Sequence, residues 1–117
     1  MQSEEDSSRA VVVRAPGDWR SQWRGLTIDR QRYVVALASL KLPLTRLEFD
    51  LLDTLVRNAG RVVPYRELVE HVLGCVFVPE STALRVHLAH LRRKLGDAAA
   101  AIVTVRGRGL LFDPEAR

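Results

Sequence analysis

The segment STALRVHLAHLRRKL, Ser81 to Leu95, decides the fold. At about 100° per residue, Leu84, Leu88, Leu91 and Leu95 line up as one leucine stripe along a helix, and such a stripe is stable only against a core. Thr82, Val86, Ala89, His90 and Arg93 point roughly the opposite way, with Arg85 and Arg92 on one flank and His87 on the other. No acid interrupts the run from Ser81 to Gly96. A face of small, branched and cationic residues fits a DNA major groove, where Arg pairs with guanine and methyl-bearing side chains allow close approach. It is also what the solvated basic face of an ordinary helix looks like. The segment alone leaves both readings open.

The bulk properties narrow the choice. A chain of 117 residues, 47% hydrophobic, fits one domain with an ordinary core and leaves no room for a second, catalytic one. Eighteen Lys and Arg against fourteen Asp and Glu favour an anionic partner. The charge is uneven: Glu4, Glu5 and Asp6 make the start acidic, whereas Thr82 to Arg108 carries six Lys or Arg and only Asp97 against them. The basic end is the working end. A single cysteine, Cys75, excludes an internal disulfide framework and a multi-thiolate zinc site. The longest apolar runs are far shorter than the ~20 residues of a membrane helix, and no signal-type stretch follows Met1. These features imply a soluble cytoplasmic protein with no membrane association.

Residues 1–9, MQSEEDSSR, form a flexible acidic terminus, and residues 10–117 form the domain. Ala10 to Arg14 is a short strand candidate ended by Pro16, Gly17 and Asp18. Trp19 to Gly25 is ambiguous between a turn, a short helix and a strand. Leu26 and Ile28, then Tyr33, Val35 and Leu37, alternate with Thr27, Asp29, Val34 and Ala36, the period of strands covered on one face. Turns fall at Asp29 to Gln31 and Ala38 to Leu40, with Lys41 to Leu44 returning as a strand.

At Leu44 the pattern changes. Thr45 and Glu48 make a Thr-x-x-Glu capping box, and Leu44 and Phe49 stand as its hydrophobic staple. The helix that follows is broadly apolar through Val56, with Gly60 available as its left-handed cap. Arg61 to Val63 reads as an extended link. Pro64 opens a second helix that buries Leu68, Val69, Val72 and Leu73 until Gly74. The loop CVFVPE carries Val76, Phe77 and Val78 in a row, either tucked onto the core or offered to a partner. After the leucine-striped helix, Ile102 to Val105 and Leu110 to Phe112 make a hairpin around the Arg106-Gly107-Arg108-Gly109 turn.

Three of these stretches together resemble the OmpR/PhoB-type transcriptional effector domain: LTRLEFDLLDTLVRNAGRVVPYRELVEHVLG from Leu44, LRVHLAHLRRKLGD from Leu84, and IVTVRGRGLLF from Ile102. With the weaker GLTIDRQRYVVAL strands, the likeness covers most of Gly25 to Phe112. It implies an α+β winged helix-turn-helix with an N-terminal antiparallel sheet, a three-helix core and a C-terminal β-hairpin wing. It also implies double-stranded DNA as partner, bound by two copies on repeated half-sites as a homodimer. Residue by residue, the resemblance makes Arg92 a base-reading arginine and Val86 a groove-facing apolar position. It gives His87 and Thr104 phosphate contacts and sends Arg106 into the minor groove, where narrow grooves favour inserted Arg. Thr82, Arg85, Ala89, His90, Arg93 and Arg108 complete the expected DNA face.

The departures from the pattern are specific. Arg85 stands where the family usually has an acid, and Ala89 and His90 where many members have Arg or Ser, so base preference does not carry over. Leu110 replaces an aromatic, Leu73 a Trp and Pro64 a Ser. The 44 residues before the first helix leave room only for the sheet and not for the receiver domain such proteins usually carry. Either the chain is cut from a longer regulator or it is an orphan response regulator working without phosphorylation; the start at Met1 favours the second. An alternative function is a protein-interaction module that meets RNA polymerase or another regulator through Val76, Phe77 and Val78. An enzyme is disfavoured. His87 and His90 sit roughly 60° apart on the wheel without further ligands, no serine or glycine run has catalytic or phosphate-loop spacing, and no cofactor or metal is expected.

Overall fold

The computed structural model describes residues 13–14, 20–74 and 82–116, with side chains over the last two ranges. The acidic terminus, Ala10 to Val12, the Pro16 to Asp18 turn, Trp19, Cys75, the Val76-Phe77-Val78 loop and Ser81 lie outside the described residues.

Five antiparallel strands come first, in chain order across the sheet: β1 (Val13–Arg14), β2 (Arg20–Trp23), β3 (Leu26–Asp29), β4 (Val34–Leu37) and β5 (Leu40–Lys41). The ambiguous segment after Trp19 is a strand. Ser21 and Trp23 point inward while Arg20 and Gln22 point out, and Trp23 pairs with Leu26. Leu26, Ile28 and Val35 continue the inner face. Tyr33 corrects the expected alternation. The Asp29 carboxylate accepts bonds from the Gln31 and Arg32 amides, which extends the turn over Arg30 to Tyr33 and leaves Tyr33 at φ 56° and 53% exposed. Its ring instead stacks edge-on against Phe49 at 5.3 Å, under the Arg46 guanidinium. The last strand is also shorter than expected, because regular pairing stops at Lys41.

Helix α1 (Arg46–Arg57) starts at the capping box: Thr45 Oγ1 accepts from the Glu48 amide, and Glu48 Oε1 accepts from the Thr45 amide at 2.9 Å. The C-cap is Asn58, whose side chain donates to Thr54 O, and not Gly60. Gly60 takes φ 86° two residues later and donates its amide to Phe112 O at 2.8 Å. That bond steers the chain into β6 (Val62–Pro64), so the expected link is a strand.

Helix α2 begins at Pro64 without a side-chain cap, runs as α-helix over Tyr65–Leu68, widens into a π-helical turn over Val69–Leu73, and stops at Gly74 with φ 70°. Leu68, Val69 and Val72 are buried, while Leu73 is only partly so. Helix α3 (Ala83–Leu95) buries its whole leucine stripe, and Gly96–Ala101 follows as a 3-10 turn rather than a plain lead. The wing strands are β7 (Ile102–Val105) and β8 (Gly109–Phe112).

The wing is thereby a three-stranded sheet of order β6-β8-β7 and not an isolated hairpin. Trp23 joins the two sheets: its ring meets Phe112 edge-on at 5.1 Å and its indole donates to Pro114 O. Arg30, nearly buried, bonds both Ser21 Oγ and the Asp53 carboxylate, tying the first sheet to α1.

Candidate nucleic-acid interface

The stripe that buries α3 fixes what the helix shows outside. Thr82, Arg85, Val86, Ala89, His90 and Arg93 are exposed and His87 is half-buried. Val86 is 48% exposed, a large apolar side chain at the middle of a cationic surface. Arg106 and Arg108 are exposed on the turn between β7 and β8, where Gly107 takes φ 76°. Three basic residues in the last turn of α3 lie at the negative end of its dipole, which favours them there.

The outer face is divided by its neighbours. On one side His90 and Lys94, one turn apart, lean toward α1. Lys94 Nζ donates to Glu48 Oε1 at 2.7 Å and to Pro43 O at 2.9 Å, and His90 Nδ1 stands 3.9 Å from Glu48 Oε2. Burial pushes the Glu48 carboxyl up, but the Lys94 bond, the Thr45 amide bond and the Lys94 charge outweigh it and hold the group below the ordinary glutamate value. On the other side Arg92 turns to the wing, donating through Nη2 to Ile102 O at 2.8 Å and to Thr104 Oγ1 at 3.1 Å. Helix and wing are therefore joined directly, with Arg92 turned between them and Arg85, Arg93, Arg106 and Arg108 exposed.

Between them lies a shallow cleft walled by Tyr65, Arg85, Arg92 and Thr104, floored by Leu84 and Leu88, and open over Ala89. Sequence reasoning missed two participants. Lys94 was legible as the i+4 neighbour of His90, but nothing in the sequence names Glu48 as their shared partner, since it serves the cap of a different helix. Tyr65 joins the cleft only because β6 and α2 are brought against the wing. Among the described residues no group of three or more His, Cys, Asp or Glu is arranged to hold a metal, and no helix is long and apolar enough to cross a membrane.

A buried three-helix core, an exposed cationic helix and an adjoining β-wing define a winged-helix effector domain. Residues 39–112 match the family model described as transcriptional regulatory protein, C terminal. Two solved structures share the fold closely. The DNA-binding domain of CpxR from E. coli is 33% identical, at TM-score 0.78, over 83% of this chain and 98% of that one. The Klebsiella pneumoniae RstA DNA-binding domain, solved in complex with RstA box, is 30% identical, at TM-score 0.74, over 81% and 97%. Among curated proteins, sensory transduction protein RegX3 of Mycobacterium leprae is 40% identical over 72% of this chain, and response regulator ArlR of Staphylococcus aureus 33% identical over 89%. The chain spans 44% and 48% of the lengths of those two relatives. It belongs to the family of OmpR/PhoB-type C-terminal DNA-binding domains of bacterial transcriptional regulators.

Proposed function

We propose that this domain binds double-stranded DNA sequence-specifically as a transcriptional regulator, with α3 in the major groove and the β7–β8 turn at the adjacent minor groove. The observation that carries the reading is the Arg92 connection between α3 and β7, which ties the helix that exposes Arg85 and Arg93 directly to the wing strand that leads into the exposed Arg106 and Arg108 turn. In this arrangement Arg85 and Arg93 face base edges and phosphates, and Val86 with Ala89 provides the close apolar approach that suits thymine methyl groups. His87 and Thr82 lie at the margins of that face, near the phosphates, and His90 at its α1 side. Arg106 and Arg108 meet the minor groove, where inserted arginine is favoured by concentrated negative potential. The related RstA DNA-binding domain was solved in complex with RstA box, which supports DNA as the ligand here. Two copies on half-sites one helical turn apart follow from the way such domains dock.

Selection of bound duplexes from random sequence at fixed salt tests the proposal, with a recurring half-site as the expected result. Titrating the selected duplex, Arg106→Ala is expected to weaken binding about tenfold, as loss of one good contact does, and to reduce the salt slope by about 1. No enriched sequence, or equal affinity of the variant, overturns the reading. The loop Val76-Phe77-Val78 lies outside the described residues, so no observation favours docking of RNA polymerase as a second reading.

A further inference from the structure

Arg92 occupies the position that the family likeness assigns to base reading, yet its guanidinium is engaged inside the protein. It crosses from the helix flank to the wing strand and gives two bonds through one nitrogen, to the Ile102 carbonyl and the Thr104 hydroxyl. A residue held this way is partly buried and cannot reach as far outward as Arg85, two turns earlier on the same flank and exposed. Ala89 lies between them and fills nothing, which leaves the cleft open beside the Thr104 side chain.

The chemistry of Thr104 follows from its partner. A hydroxyl has one hydrogen and two lone pairs, and a guanidinium can only donate. Once Arg92 occupies a lone pair, the Thr104 hydrogen is free to point away from the protein, toward an acceptor such as a phosphate oxygen. The same pair bridges β7 and α3 above the core side chains that pack between them. A double-stranded ligand that must meet helix and wing at once senses their spacing directly, because misplacement by about 1 Å is enough to lose well-placed contacts.

We propose that Arg92 is a positioning residue, which locks the wing to the DNA-facing helix and presents the Thr104 hydroxyl to a DNA phosphate, and that it reads no base. The inference rests on the DNA-binding reading above. It separates this chain's arginines into a flank pair with different tasks, Arg85 outward to the nucleic acid and Arg92 inward to the wing.

Two measurements test it. In the DNA-free protein, amide NMR of Arg92→Gln is expected to show shifted and more mobile signals across Ile102 to Val105, with the thermal midpoint lowered only modestly; unchanged signals there overturn the latch. On DNA, Arg92→Gln and Thr104→Val are each expected to weaken binding about tenfold, with the double variant no weaker than the poorer single one. The base preferences of Arg92→Gln in selection should match those of the parent at every position. A changed preference at one position makes Arg92 a base reader, and strictly additive losses make the two side chains independent; either result overturns the proposal. Arg92→Lys, which keeps the charge but loses the planar, pre-organised guanidinium, should fall between parent and Arg92→Gln. Should the parent itself select no sequence, the DNA-binding reading fails, while the NMR result still decides whether the latch exists.

Discussion

Glu48 is 1% exposed and carries two duties at once. Its carboxylate closes the capping box of α1 and receives Lys94 from α3, so a single side chain aligns the start of one helix with the end of another. A buried carboxylate without partners would be strongly disfavoured, and here the partners win. Because its folded pKa is depressed, the stabilisation it provides is complete above the unfolded glutamate value near 4.5 and is lost as pH falls through the lower folded value. Thermal melts of the parent should therefore lose stability on acidification below about pH 4.5. In Glu48→Gln that part of the acid dependence should be absent, with a lower midpoint at neutral pH because Lys94 keeps its charge and its bond to Pro43 O but loses the opposite charge it faces. Equal pH profiles for the two proteins would show that the Lys94 pair contributes nothing.

At the scale of elements, two glycines two residues apart have unrelated reasons to exist. Gly107 turns the hairpin at φ 76° with nothing within 4 Å of the place a Cβ would occupy, so Gly107→Ala should cost about 1 to 2 kcal/mol of backbone strain and leave the fold intact. Gly109 has an ordinary φ, but a Cβ there would stand 2.0 Å from the Val63 carbonyl oxygen. Strand β6 is backbone and cannot yield as a side chain does, so Gly109→Ala should cost about 3 kcal/mol or more. Urea titration of both variants checks the order; a milder loss in Gly109→Ala than in Gly107→Ala would contradict the close approach. The Arg-Gly-Arg-Gly run is legible as a turn in the sequence; that Gly109 lies against the protein's own strand β6 is not. The leucine stripe and the capping box were fully legible because their signals repeat within one helix. Strand β6 was not, because three residues between helices carry no period, and their partner lies almost fifty residues away in β8. Tyr33 misled for a related reason: side-chain acceptance by Asp29 reset the turn, and alternation cannot register that.

The whole molecule is two sheets clasped over one helical core. Trp23 with Phe112, Arg30 with Asp53, and Arg92 with Thr104 are each a join between separate units of the fold. The cationic face was readable because helical periodicity sets which residues point outward. The division of that face was not, since it depends on which neighbours the fold places beside it: α1 claims His90 and Lys94, and the wing claims Arg92. The family likeness supplied the wing's place, and the hydrogen bonds supply what holds it there.

Strand β8 is the middle strand of its sheet and follows its partner β6 by almost fifty residues, pairing with β6 on one side and β7 on the other. During synthesis the backbone of Val62 to Pro64 thus waits, its sheet-forming groups served by water, until Phe112 has been added. Such distant pairing slows closure and delays the gain it brings. A ribosome-bound chain is accordingly expected to gain helix early and resistance to proteolysis late, in one step as residues 109–112 emerge. A version ending at Ala101 should show helical circular dichroism without a sharp melting transition. A cooperative melt from that shortened chain would mean that the helices complete their assembly before the keystone arrives.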